Sequence, residues 1–237
     1  MAKEDWTDAV GSLNTSQVRR DASRAFTPPN GGTLSVHYFN SVVNTPGVVA
    51  KYHNGAGFSP TNALQGLKIS AALKRGVSGG ATGFAPLLFS LLQGTGVGDI
   101  AYVVGLGDAN PAHIILAKVP LTSGLPDIAP GTQGVWKRSV ATFDPDTWVH
   151  LQLDVVVNSS GGIANDTVVT VKMSDLGVNP VTTPNFVAIP GMDPLYDDAG
   201  GITTGTPGLT TGRGGFGMQS ADSTRRVYFD HIRLTAQ

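Results

Sequence analysis

Two tryptophans carry the clearest binding chemistry in this 237-residue chain. Trp136, in Gly134-Val135-Trp136-Lys137-Arg138, and Trp148, ahead of Val149, offer flat apolar faces on which a sugar ring can stack. A strand tryptophan also serves by packing on a sheet or at a subunit contact. Oxygen donors for calcium stand at Asp108 with Asn110, and at Asp193 with Asp197 and Asp198. The competing use of such residues is in turns, where each side chain bonds its own backbone.

Other chemistry is scarce. Retaining glycoside hydrolysis needs two carboxyl groups about 5 Å apart, and the one glutamate is Glu4 near the start of the chain. Asp144 and Asp146 flank Pro145 in a turn. Ser78 has the spacing of a nucleophile elbow, Gly76-Val77-Ser78-Gly79-Gly80, but an apolar strand follows where that motif requires a helix. Gly212, Gly214 and Gly217 match a dinucleotide fingerprint by letters and also lead into a strand. His37, His53, His113, His150 and His231 show no metal-ligand spacing, and there is no cysteine. These absences predict no catalytic residue, no cofactor and a protein that is not an enzyme.

The elements that must position these side chains are strands. Apolar residues make up 41% and charged residues 14%, with 31 glycines and 15 prolines, a mix too apolar for disorder and too interrupted for long helices. Leu67, Ile69, Ala71 and Leu73 alternate with Lys68, Ser70, Ala72 and Lys74, which predicts a strand with one wet face. Val149, Leu151, Leu153, Val155 and Val157 alternate with His150, Gln152 and Asp154 and predict the main core strand. It returns through a glycine turn as Val169, Val171 and Met173. The run 84–92 is apolar nearly throughout, as in a strand covered on both sides. Near the C-terminus, Phe216 and Met218 precede a polar turn, and Val227, Phe229, Ile232 and Leu234 follow it. The reading is a closing hairpin, and the phase slip between Phe229 and Ile232 predicts a bulge near Asp230-His231.

The glycine-led strand, polar turn and final Val-Tyr-Phe-Asp-His-Ile-Arg-Leu resemble the last hairpin of laminin G-like and concanavalin A-like sandwiches. The pair Tyr102–Leu106 and Ile114–Leu116 resembles the central hairpin of the same families. This likeness implies an all-β fold, an antiparallel two-sheet jelly-roll sandwich over residues 31–237, with an irregular insertion at 174–211. Residues 1–30 read as an N-terminal arm ending at Pro28-Pro29-Asn30-Gly31-Gly32. Trp6, Arg19, Arg20 and Arg24 are its candidate assembly contacts.

The formal charge of −1 gives no field to gather nucleic acid or anionic lipid. No window has the length or polarity of a secretory leader or a membrane span. A β module with an arm and no evident active site resembles the virion structural proteins of tailed bacteriophages, in capsid decoration, tail or baseplate. That resemblance implies assembly in a host cytoplasm, with other virion proteins and further copies of the chain as partners. The alternative is a lectin-like module that recognises a host glycan.

Overall fold

The computed structural model describes residues 6–10, 18–21, 35–39, 47–53, 65–75, 84–93, 99–107, 111–120, 135–144, 147–158, 166–174, 185–197, 208–220 and 226–236. Two antiparallel sheets face each other, and no helix occurs among the described residues. The first sheet runs, in spatial order, β1 (Trp6–Val10), β4 (Gly47–His53), β14 (Arg213–Ser220), β6 (Phe84–Leu92), β7 (Ile100–Leu106), β8 (Ala112–Pro120) and β9 (Val135–Phe143). The second runs β12 (Phe186–Ala188), β11 (Asp166–Ser174), β10 (Val149–Asn158), β5 (Gln65–Arg75), β15 (Arg226–Ala236), β3 (Ser35–Phe39) and β2 (Val18–Asp21). A short β13 (Leu195–Asp197) pairs with β11 beside β12. This is the expected sandwich.

Its core is made by the inward rows of both sheets. Leu151, Leu153, Val155 and Val157 on β10 lie beside Leu67, Ile69 and Leu73 on β5. Leu88 on β6, Val104 on β7, Leu116 on β8 and Phe216 on β14 face them from the first sheet. Each such side chain contributes about 1.5–3 kcal/mol by leaving water. Close backbone packing is required at Gly66, where an added Cβ would run into the carbonyl oxygen of Val155.

The closing hairpin is not formed. β14 pairs with β4 and β6, whereas β15 pairs with β3 and β5 in the other sheet. The two strands face each other across the core, where the rings of Phe216 and Phe229 meet edge-on at 5.2 Å. Alternation reports which face of a strand is apolar, and neighbours in sequence satisfy it equally well from opposite sheets.

The bulge in β15 is present. Asp230 pairs with Ala72 and Arg233 with Ser70, so three steps on β15 match two on β5. His231 absorbs the extra residue with a φ of 52°. Val227 and Phe229 thus stay in the core, with Ile232 and Leu234 packed against it. β6 is also covered on both sides, since Leu87, Leu88 and Phe89 are all buried.

β1 and β2 form edge strands of the two sheets, so Trp6, Arg19 and Arg20 lie in paired backbone. Arg24 lies outside the described residues. Within 174–211, β12 and β13 extend the second sheet, and Ile189, Met192 and Leu209 join the core.

Candidate functional site

The outer face of the second sheet is where polar side chains converge. On β10 the odd residues enter the core, so His150, Gln152 and Asp154 point to the opposite face. Register aligns them with β5 and β15 in rows. One row holds His150, Ala72 and Asp230; the next holds Lys172, Gln152, Ser70 and Arg233; a third holds Thr170, Asp154, Lys68 and Thr235.

This face is not wet as the alternation predicts. His150 is 6% exposed, Gln152 7% and Asp154 9%, and Ser70 and Ala72 are buried with them. Alternation sets the direction of a side chain but carries no signal of what lies over it. One covering group is Phe186 on β12, whose ring meets His150 edge-on at 4.8 Å. Asp154 accepts a hydrogen bond from Lys172 Nζ at 3.1 Å, and Lys68 Nζ stands 3.9 Å from the same oxygen. Tyr196 on β13 sits opposite Val168 on this face and is 62% exposed. Phe186 pairs with Ser174 and Tyr196 with Val168 on the same strand, so six residues of β11 separate the two rings, about 20 Å at strand rise.

His150 is held neutral. Burial disfavours its charged form, and the nearby His231 and Arg233 add to the effect, which brings its pKa down to about 4. The two histidine rings are 6.5 Å apart. At neutral pH His150 therefore offers one donor and one acceptor nitrogen.

A second polar cluster lies inside the sandwich. Lys118 on β8 and Asp197 on β13 form an ion pair at 2.6 Å with no solvent exposure on either side chain. The Tyr102 hydroxyl on β7 donates to the same carboxylate oxygen at 2.6 Å and accepts from Leu209 N–H at 3.0 Å. Thr167 donates to the Leu209 carbonyl at 2.8 Å. Burial, then the charge of Asp197 and the hydrogen bond to it, raise the Tyr102 phenol above its ordinary range, so it stays protonated.

The residues singled out from the sequence are dispersed. Trp136 on β9 is half-buried and packs against the core, and Trp148 is half-buried just before β10. Asp193 is exposed, whereas Asp197 is engaged by Lys118 and Tyr102. Asp108, Asn110 and Asp198 lie outside the described residues. Among the described residues no group of three or more His, Cys, Asp or Glu is placed to hold a metal ion. Sequence reasoning missed Tyr196, Phe186 and Lys118. The available signal for Lys118 was its phase, two residues after Leu116 on the inward side of β8.

No protein-family profile matches the chain, and no curated protein matches it in sequence. Solved structures match it in fold. The marine PL-14 alginate lyase from Aplysia kurodai aligns with a TM-score of 0.52 and 9% identity, over 94% of this chain and 88% of that one. The carbohydrate-binding module CBM66 from Bacillus subtilis aligns at 0.48 and 9%, covering 97% and 94%. The cellulose induced protein Cip1 aligns at 0.49 and 15%, covering 99% and 93%.

One expectation is corrected by the first of these likenesses. The prediction that the chain is not an enzyme followed from a missing pair of glutamates and from the lack of a working nucleophile elbow, a dinucleotide fingerprint and metal-ligand spacing, which together do not test for every chemistry. The Aplysia protein, which shares the fold, is a lyase, so lack of a glycosidase pair does not exclude catalysis on this sandwich. Fold and function are separable here, and the site has to decide.

Proposed function

We propose that the chain binds a polysaccharide along the outer face of the second sheet. The observation that carries this reading is the set of groups open to solvent on that face, Arg233 and Tyr196 with the part-exposed Lys68 and Lys172, backed by the buried polar row of His150, Gln152 and Asp154. Sugar recognition uses such planar, fixed hydrogen-bonding groups together with aromatic faces for the apolar side of the ring. Phe186 and the exposed Tyr196 supply the latter at two points along β11. Lys68, Lys74, Lys172 and Arg233 outnumber Asp154 and Asp230 on this face, which favours a glycan bearing carboxylates. The carbohydrate-binding and lyase proteins that share the fold agree with a glycan ligand in kind.

A second reading is favoured by one observation, the rings of His150 and His231 6.5 Å apart with Arg233 two residues further along the strand of His231. Abstraction of a proton next to a carboxylate needs a base and a cation, with no pair of carboxyl groups. The virion-assembly reading draws nothing from the three structures named above, none of which is a virion protein.

Calorimetric titration with a soluble polyuronate and with a neutral glucan tests the proposal. The polyuronate is expected to bind more tightly, and Arg233→Ala or Tyr196→Ala to weaken it about tenfold each, for loss of one charge-assisted bond or one stacking platform. Absence of binding to either polymer, or binding unchanged in the Arg233→Ala, Tyr196→Ala double variant, refutes this face as the site. Appearance of carbon–carbon double-bond absorbance in the same mixture, lost in His150→Gln, selects the elimination reading.

A further inference from the structure

The interior cluster has a geometry that binding at the outer face does not use. Lys118 projects inward from the first sheet and Asp197 inward from the second, since Lys118 shares its face with Leu116, and Asp197 sits opposite Thr167, which shares its face with Val169. Their contact at 2.6 Å joins the two sheets at a point without solvent. An ammonium and a carboxylate in such a place are held against each other with no water between them or around them to compete for the contact.

We infer that Lys118 and Asp197 form an intramolecular amide bond that ties one sheet to the other. In the desolvated pair a proton passes from Lys118 Nζ to Asp197 Oδ2, leaving a neutral amine beside a neutral carboxylic acid. The amine lone pair attacks Cγ. The contact of 2.6 Å to Oδ2 places Nζ about 3–3.5 Å from that carbon, the range of a near-attack arrangement. The nitrogen loses a second proton, the Cγ–Oδ2 bond breaks, and Oδ2 leaves with both protons as water. The ammonium and the carboxylate thus become one amide and one water, with no net charge change and no oxidant.

Tyr102 is the positioning and proton-carrying group. Its hydroxyl already donates to the oxygen that departs, and the Leu209 N–H donates to the hydroxyl in turn. Deep burial and the adjacent carboxylate keep it protonated, as this role requires. In a chain without cysteine, this bond would supply the covalent staple that a disulfide provides elsewhere.

Intact mass of the denatured full-length protein tests the inference. The wild type is expected to be one water lighter than its sequence, and fragmentation of a protease digest to show one branched peptide joining Lys118 to Asp197. Lys118→Met and Asp197→Ala are expected to keep the full mass. Tyr102→Phe is expected to lose the water on the order of a hundredfold more slowly after synthesis, the usual scale of a proton-transfer contribution. A wild type at full mass overturns the proposal whether or not the variants fold. A water loss that persists in Lys118→Met overturns it as well, because the bond then lies elsewhere.

Discussion

His150 makes the stability of this sandwich depend on pH. In the unfolded chain its pKa is the ordinary 6.5, and in the fold it is about 4. Between these values the unfolded state binds a proton that the folded state refuses, so stability falls as pH drops. Above pH 6.5 the penalty vanishes; below pH 4 it is complete, at about 3 kcal/mol for the full shift. From pH 7 to pH 5 the linkage relation gives a loss of about 2 kcal/mol from this residue alone. The groups around it are Asp230, His231 and Arg233 on β15 and Phe186 on β12, with Lys172 of β11 one row away opposite Gln152, and all remain in a His150→Gln variant. Urea unfolding of both proteins at pH 7, 6 and 5 isolates the term, since other titrations are shared. The gap between the two stabilities should change by about 2 kcal/mol over the range. Parallel profiles, within about 0.5 kcal/mol, would falsify the claim that His150 is held neutral by burial.

Thr167→Val keeps shape but removes the donor to the buried Leu209 carbonyl, and should cost about 1–3 kcal/mol in denaturant unfolding. Gly66→Ala drives a methyl group into the Val155 carbonyl between β5 and β10, so a loss of more than about 2 kcal/mol or insoluble expression is expected; an unchanged melting temperature would contradict the register. Leu151→Ala should cost about 2–5 kcal/mol, whereas Val140→Thr, at a site 93% exposed, should stay within about 0.5 kcal/mol. If carboxylates on the glycan meet Lys172 and Arg233, the measured affinity for a polyuronate should fall steadily with added salt while that for a neutral glucan stays level.

Much of the fold was legible before any coordinates. The alternation at 67–73 and 149–157 named the buried rows correctly, and both are in the core. The one-residue slip after Phe229 located the bulge, because a period of two leaves no other way to keep Ile232 and Leu234 against the core. The continuous apolar run of β6 announced burial on both sides. What the rows could not carry was partnership. Phe216 and Phe229 would show the same periodicity in one hairpin or in facing sheets, and they are in facing sheets.

The candidate site was less legible, since its members are ordinary polar residues far apart in sequence. His150, Gln152 and Asp154 were correctly assigned to an outward face, but exposure was expected of them, and Phe186 came from a stretch that looked irregular. Asp197 drew notice as an oxygen donor, while its actual partner, Lys118, lay in an apolar strand with no motif around it. By itself the sequence determined which side chains turn inward, because apolar spacing and the two-residue pleat are local properties of a strand. Only the tertiary structure decided which sheet each strand joins and which buried charges meet, because both depend on closing loops between distant segments, and local spacing holds no record of that closure.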